Sequence, residues 1–153
     1  MLTLKVMKGY MNNEKATKET VKGENWLHTG DFAYYDESFR VFIVDRLKEL
    51  IKVKGFQVAP AELEDLIRSH RDIKDVAVIG IPDKIKGEVP LAFIVTTEEC
   101  VDKECFKERI HEFVNEHVSE YKRLYGGIRI VESIPKTTSG KIQRKNLKKL
   151  FNN

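Results

Sequence analysis

Apolar residues recur at helical intervals in the third quarter of the chain. Between Asp102 and Ser119 they lie three or four positions apart, at Phe106, Ile110, Phe113, Val114 and Val118. This spacing places them on one face of a helix and the polar residues on the other. It predicts an amphipathic helix over Asp102–Ser119.

Two shorter helices are predicted from similar patterns. One begins at Pro60, a residue favoured in the first helical turn. Its buried stripe is Leu63, Leu66 and Ile67, and its acidic residues near the positive end are Glu62, Glu64 and Asp65. The other runs from Gln143 to Phe151, with Ile142, Leu147, Leu150 and Phe151 on one side.

Runs of β-branched and aromatic residues predict the strands. The segment "DFAYYDESFRVFIVDR" holds two such runs around a turn cluster at residues 36–38, which predicts a hairpin. "ELIKVKGFQVAP" predicts a short strand broken at Gly55, where we expect a backbone conformation awkward for other residues. "VAVIGIPD" and "VPLAFIVTT" are too short for helices and predict buried strands, and "GGIRIVESI" predicts another.

The order of these elements predicts the fold class. A hairpin is followed by strand, helix, two strands, helix, strand and helix, which indicates an α+β sandwich with a small central sheet. The first thirty residues are polar and lack apolar periodicity, so they are interpreted as connecting structure whose packing partner is missing.

Composition narrows the class of protein. With 153 residues, 41% hydrophobic and 33% charged, the chain is typical of a globular protein with a modest core. No stretch approaches the roughly 20 apolar residues of a membrane span, and the N-terminus lacks a signal peptide's apolar run. The net charge of +3 does not require a nucleic-acid partner.

The cysteines and the C-terminus bear on location. Cys100 and Cys105 are five positions apart, which does not fit a zinc site, and are interpreted as reduced thiols of an intracellular protein. The chain ends Phe151-Asn152-Asn153, not Ser-Lys-Leu, the peroxisomal signal. We expect a cytoplasmic protein.

The segment "IPKTTSGKIQRK" has the composition of a phosphate-binding loop, without its pattern. The P-loop needs Gly, four residues, then Gly-Lys-Ser/Thr. Here Pro135 takes the first glycine position and Ile142 follows Lys141. Lys141 is therefore either an exposed lysine at a helix start or a charge that a mobile loop delivers to a phosphate or carboxylate.

A second group of cations lies in "VDRLKELIKVKGFQ". Arg46, Lys48, Lys52 and Lys54 fall within nine residues. Side chains alternate along a strand, so Lys52 and Lys54 are predicted on one side. They could deter edge-to-edge pairing or bind an anion. Asp45 and Arg46 could equally form an exposed ion pair of little energetic value.

Two further features leave alternatives open. Asp31, in "HTGD", could accept hydrogen bonds from a ribose diol, although capping of a turn is the commoner role. The basic C-terminal segment, with Lys141, Arg144, Lys145, Lys148 and Lys149, could bind phosphates of RNA or acidic lipid.

Taken together, these segments resemble the adenylate-forming enzymes. "GENWLHTGDFAYYDE", "FIVDRLKELIKVKGFQVAPAELE" and "PKTTSGKIQRK" occur in the order and spacing of acyl-CoA synthetases, 4-coumarate–CoA ligases and beetle luciferases. The resemblance extends from about Gly9 to Leu150, and "LYGGIRIVESIPK" is most similar to the luciferase-like branch. It implies that the family's Gly/Ser/Thr-rich ATP phosphate loop and the acyl pocket belong to a large domain and have no counterpart in this chain.

The resemblance also implies roles for individual residues. Asp31 and Arg46 match the pair that holds the AMP ribose, and Lys48 matches the hinge and a nucleotide-binding position. Lys52 and Gln57 match residues that face the acyl-adenylate during thioester formation. Lys54 and Gly55 match coenzyme A contacts, and Lys141 matches the catalytic lysine of adenylation. Asp45 lies close enough to share the hinge role.

For the whole protein, the resemblance implies an ATP-dependent carboxylate–CoA ligase. Residues 1–45 match the tail of a large N-terminal domain and the hairpin before the hinge, and residues 46–153 match a small C-terminal lid domain. ATP with Mg²⁺, coenzyme A and a small carboxylate are the implied partners, with no nucleic acid and no metal site in this chain. We expect the chain to be inactive alone. A stand-alone binding module and a luciferase-type monooxygenase are the alternatives.

Overall fold

A computed structural model of the chain describes residues 6–23, 26–97 and 102–152. The helices are α1 (Glu14–Thr20), α2 (Pro60–Arg68), α3 (Lys103–His117) and α4 (Arg144–Asn152). The strands are β1 (Val21–Lys22), β2 (Trp26–Leu27), β3 (Asp31–Tyr35), β4 (Val41–Arg46), β5 (Ile51–Val53), β6 (Phe56–Val58), β7 (Ile73–Asp83), β8 (Gly87–Thr96) and β9 (Ile128–Ile130). Strands and helices mix as the α+β prediction requires.

The central sheet is built on a long antiparallel pair. β7 and β8 pair from Ile73↔Thr96 to Asp83↔Gly87, with one register shift after Ile73. The β5–β6 hairpin joins the start of β8, and β9 runs parallel to its middle. The sequence pattern predicts β7 and β8 correctly. It predicts one strand broken at Gly55 where the structure has the β5–β6 hairpin, and β9 is shorter than the predicted segment.

Alternation along the paired strands produces a core on each face of the sheet. On one face Val76, Val78 and Ile94 pack with α2 and α3. On the other face Ala77, Ile79 and Phe93 pack with Ile134 and α4. We call these the first and second core. Because both faces are covered, β7 and β8 are near-continuous apolar runs.

The helices begin and end close to their predicted positions. Asp102 caps α3, and its Oδ1 accepts hydrogen bonds from the backbone N–H of Glu104 and Cys105. α2 begins at Pro60, as predicted, but its own N-cap residue, Ala59, provides no side-chain hydrogen bond. Asp45 provides one instead, accepting from the Ala61 N–H at 3.0 Å.

Two predicted core positions are corrected. Leu150 in α4 is half exposed, whereas Leu147 is fully buried in the second core. Leu66 is only partly buried, and the adjacent apolar-stripe position of α2 is occupied by the buried Glu64. Cys105 is a free, exposed thiol, and Cys100 lies outside the described residues.

The segment before residue 47 is less packed. β3 and β4 form the predicted hairpin, and β1 pairs with β2. α1, capped by Asn13, was not predicted. Several large apolar side chains are exposed here, among them Tyr34, Tyr35, Phe39, Val41 and Ile43. No helix in the described ranges is both long enough and apolar enough to cross a bilayer.

Candidate functional site

The β5–β6 hairpin presents Lys52 and Gln57 together. The two residues are directly opposite each other in the ladder, so their side chains share one face. Both are exposed, while their neighbours Ile51, Val53 and Val58 are buried in the first core. The buried face fixes the register, and a slip of one residue would bury Lys52. Folding therefore holds this pair outward.

The hairpin turn is formed by Lys54 and Gly55. Both residues have positive φ, 48° and 86°, as two-residue hairpin turns require. The predicted conformational demand at Gly55 is confirmed. Lys54 lies in the turn and not in the strand, so the expectation that strand alternation aligns it with Lys52 is wrong. Its backbone N–H donates to Lys86 O at 2.8 Å.

A pocket of about 240 Å³ lies beside this turn. Its walls are Val53, Lys54, Phe56, Lys86, Glu120, Tyr121 and Tyr125. Phe56 and Tyr121 stack with ring centroids 4.5 Å apart. The Lys86 ammonium lies 2.8 Å from the Tyr125 ring centroid. Flat rings beside ammonium groups suit a planar, anionic ligand. The sequence analysis missed Lys86, Tyr121 and Tyr125, because only the fold brings them together.

Asp31 and Arg46 form an ion pair at the base of the β3–β4 hairpin. Arg46 Nε lies 2.9 Å from Asp31 Oδ1, and the two residues are register partners. Asp31 also lines an open groove of about 710 Å³, with His28, Gly30, Trp26 and Leu47 among its walls. A carboxylate has two acceptor oxygens, so Asp31 can pair with Arg46 and also accept from a hydroxyl-bearing ligand.

Lys48 is exposed in a 3₁₀ turn, Leu47–Glu49, between the hairpin and the central sheet. Before it, the Leu47 N–H donates to Gly30 O at 2.8 Å. Asp45 reaches the other way, to α2. The turn is therefore the short connection between two separately hydrogen-bonded parts.

Lys141 is exposed at the end of a loop with its own hydrogen bonds. The Thr137 N–H donates to Lys141 O at 2.9 Å, and the Lys141 N–H donates to Thr137 Oγ1 at 3.1 Å. Gly140 N–H donates to Thr137 O, and an isolated bridge joins Lys136 to Ile142. The segment is more ordered than the sequence analysis expected.

Apart from Lys48 in the 3₁₀ turn, the predicted residues fall into three places. Lys52, Gln57, Lys54 and Gly55 share the β5–β6 hairpin, which packs on the first core. Asp31 and Arg46 lie in the preceding hairpin. Lys141 follows Ile134 and precedes α4, which pack on the second core.

The structure adds a buried ion pair that the sequence analysis missed. Glu64 Oε1 accepts from Arg144 Nη2 at 2.7 Å and from the Val78 N–H at 2.8 Å. Burial raises the pKa of the Glu64 carboxyl, against the opposing effect of Arg144. One signal could have found it, because Glu64 lies at an apolar position of the 60, 63, 64, 67 stripe.

Within the described residues, no group of three or more His, Cys, Asp or Glu side chains is arranged to hold a metal ion. The positive charges of the candidate sites are provided by lysine and arginine side chains. The arrangement can therefore bind and orient anions through two exposed lysine sites.

Comparison with known proteins identifies the family of this chain. The model of the AMP-binding enzyme C-terminal domain matches residues 62–141, and the chain belongs to that family. The chain is 52% identical over 143 residues to 4-coumarate–CoA ligase 1 of Arabidopsis thaliana, covering 94% of this chain and 25% of that protein.

A second curated protein and a solved structure are also similar to this chain. Luciferin 4-monooxygenase of Nipponoluciola cruciata is 47% identical over 146 residues, covering 95% of this chain and 26% of that protein. The crystal structure of the anthranilate CoA ligase AuaEII in complex with anthranoyl-AMP superposes with a TM-score of 0.81 and 33% identity, over 93% of this chain and 27% of that one. The chain thus spans about a quarter of the length of these proteins.

Proposed function

We propose that this chain forms the catalytic lid of an ATP-dependent carboxylate–CoA ligase. The observation that carries the proposal is the presence of two exposed lysine sites, at Lys52 and Lys141, on one small domain of the matched family. The reaction joins a carboxylate to AMP and then transfers the acyl group to a thiol. Each step needs positive charge at a different moment.

Lys141 is the proposed catalytic residue of the first step. A carboxylate attacks the α-phosphate of ATP, so two anions meet and negative charge grows as pyrophosphate leaves. An ammonium placed between them offsets the repulsion and holds both in line. The hydrogen bonds within the loop support this role, since they hold the Lys141 backbone from which the ammonium extends.

Asp31 and Arg46 are the proposed ribose-binding pair of the nucleotide. The carboxylate would accept hydrogen bonds from the two ribose hydroxyls, and Arg46 would hold its orientation through the 2.9 Å contact. The groove beside Asp31 gives space for the nucleoside. Magnesium would arrive with the ATP phosphates.

Lys52 and Gln57 are the proposed contacts to the acyl-adenylate in the second step. Their shared face lets both reach one ligand at once. Lys54 and Gly55 would contact coenzyme A, and the aromatic pocket next to them would take its flat, phosphate-bearing nucleotide end. This assignment adds Lys86, Tyr121 and Tyr125 to the proposed site.

Two sites on one lid require the lid to turn. Residues 1–45 would belong to the large domain and residues 46–153 to the lid, with Lys48 as hinge and nucleotide contact and Asp45 beside it. A short exposed turn is where a hinge can absorb a change in φ and ψ. Rotation would bring in Lys141 first and the Lys52 face second.

The chain alone would lack adenylation activity, because nothing described in it forms an acyl pocket or a P-loop. We also propose a cytoplasmic location, because the free Cys105 thiol fits a reducing compartment. The test is a chimera that joins the large domain of Arabidopsis 4-coumarate–CoA ligase 1 to this chain. We expect coumarate-dependent pyrophosphate release from the chimera, its loss in Lys141→Ala, and none from the isolated chain.

Two outcomes would contradict the proposal. Acyl-AMP formation by the isolated chain would show that the large domain is not needed. An inactive but folded chimera, together with tight binding of the isolated chain to another protein, would favour a stand-alone binding module.

A further inference from the structure

Three elements meet at the peptide groups of Val78 in β7. Glu64, from α2, accepts the Val78 N–H, and Arg144, from the first turn of α4, donates from Nε to Val78 O at 3.3 Å. The Glu64–Arg144 ion pair closes the ring. Its side chains are only 7% and 17% exposed. α2, β7 and α4 are thus fixed to one another by charged groups inside the domain.

This ring lies next to the Lys141 loop. Arg144 follows Lys141 by three residues, and Gln143 between them donates its N–H to Pro135 O at 2.8 Å and its side-chain amide to Lys136 O at 3.1 Å. At the other end of the loop, Lys136 Nζ lies 2.6 Å from Asp75 Oδ2. Both ends of the loop are therefore tied to β7.

A buried ion pair is a poor source of stability. The cost of removing two charges from water can exceed their attraction, and an apolar pair of the same shape is often as stable. The effect of the ion pair on the position of neighbouring residues can matter more than its effect on stability. Because a misplacement of about 1 Å can cost about 10²-fold in rate, a catalytic lysine needs a loop whose ends do not shift.

Glu64 is not itself placed for chemistry. Its Oε1 accepts from both Arg144 and Val78, and its side chain is enclosed between α2, β7 and α4. It can act on a substrate only through the residues that it holds.

We propose that Glu64 and Arg144, assisted by Lys136 and Asp75, are positioning residues that set the place of the Lys141 ammonium during adenylation. The inference rests on the proposed role of Lys141. It assigns to the four residues an effect on one half-reaction only, because the Lys52 hairpin packs on the first core, whereas the Lys141 loop is flanked by Ile134 and α4 of the second core.

The test uses the chimera with the half-reactions separated. ATP–pyrophosphate exchange measures adenylation, and thioester formation from preformed coumaroyl-AMP measures the second step. For Arg144→Met we expect the kcat of exchange to fall by about 10- to 100-fold, with little change in the KM for ATP. Thioester formation should stay within about twofold, and Arg144→Lys should restore part of the exchange rate.

Arg109→Met is the matched control. Arg109 also forms an arginine–aspartate contact, at 2.9 Å to Asp72, but on the exposed surface of α3. The Arg109→Met variant should leave the rates of both half-reactions unchanged. If Arg144→Met fails to fold, Lys136→Met removes the other tether, whose lysine is more exposed. It should show the same selective loss, smaller in size.

A second measurement needs no activity. In the 153-residue chain, hydrogen exchange of the Lys141 and Gly140 amides should accelerate in Arg144→Met by more than that of core amides such as Ile94, which reports the change in global stability. Equal losses in both half-reactions, or unchanged exchange at Lys141, would overturn the positioning role. If Lys141→Ala itself leaves adenylation intact, the proposed function fails, whatever Arg144→Met does.

Discussion

The residues before the 3₁₀ turn and those after it differ in where their apolar side chains lie. In the part of the chain that the structure describes, the buried apolar residues begin at Leu50. Most of the large exposed ones, from Met7 to Leu47, come earlier. Two-stranded ribbons have no core of their own and are marginal in water. The first region therefore exposes apolar side chains that it does not bury itself, whereas the second region contains both cores.

The largest expected contrast comes from removing one aromatic side chain in each region. Phe93 is 1% exposed and Tyr35 is 70% exposed. We expect Phe93→Ala to lower the free energy of unfolding by about 3–5 kcal/mol. Tyr35→Ala should change it by less than about 0.5 kcal/mol. Urea unfolding followed by circular dichroism measures both, and a comparable loss in Tyr35→Ala would refute the contrast.

The next effect concerns the buried pair. Arg144→Met leaves Glu64 without its countercharge, and we expect a loss of about 3 kcal/mol at pH 7. Burial already raises the Glu64 pKa above its ordinary value of 4.5, Asp45 raises it further, and Arg144 opposes both. The stabilising contribution of the carboxyl is therefore complete below about pH 4.5 and is lost as the pH rises through the raised pKa.

At lower pH, Arg144→Met should therefore lower the free energy of unfolding by less, because the unpaired Glu64 carboxyl becomes neutral. Urea midpoints between pH 4 and pH 8 test this. Arg109→Met, which breaks an exposed pair, should cost less than about 1 kcal/mol throughout. A cost of Arg144→Met that does not change with pH would contradict the account.

A smaller loss of stability is expected from removing the hydrogen bond between Asp45, in the first region, and α2, in the second. Asp45 caps α2 from outside the helix, so Asp45→Ala should destabilise the central sheet and its helices by about 1 kcal/mol. Asn13 provides a matched control, since it caps α1 in the first region through the Ala16 N–H. Asn13→Ala should leave the circular dichroism midpoint unchanged. Equal shifts would mean that the regions unfold together.

The smallest effect on stability is expected at the Asp31–Arg46 pair. Its arginine is more than half exposed, so Arg46→Met should cost less than about 1 kcal/mol. In the chimera, by contrast, it should raise the KM for ATP. An unchanged KM would remove Arg46 from the proposed nucleotide site.

The sequence was most informative where apolar periodicity is strong. α3 and the β7–β8 pair follow directly from it, because each buries a regular set of side chains. Leu150 was predicted on the same side of α4 as Leu147 and Phe151, but only these two pack on the second core and Leu150 is half exposed. The apolar position of Glu64 on α2 signals that this residue is buried, but its partner, Arg144, lies 80 residues away and leaves no local pattern.

The candidate site divides in the same way. Lys52, Gln57 and Gly55 were singled out by their resemblance to the family, and the structure places Lys52 and Gln57 opposite each other in one hairpin, with Gly55 in its turn. Lys86, Tyr121 and Tyr125 could not be predicted, since a pocket wall assembled from separate segments leaves no local pattern. The order within the Lys141 loop was likewise hidden, because it depends on contacts to β7.

The most direct test of the two-site account is a pair of single variants of the chimera, each measured in both half-reactions. We predict that Lys141→Ala lowers ATP–pyrophosphate exchange by about 10²–10³-fold and largely spares thioester formation from coumaroyl-AMP. Lys52→Ala should do the reverse. If both variants impair the same half-reaction, or Lys141→Ala leaves exchange intact, the division of labour between the two lysines is wrong.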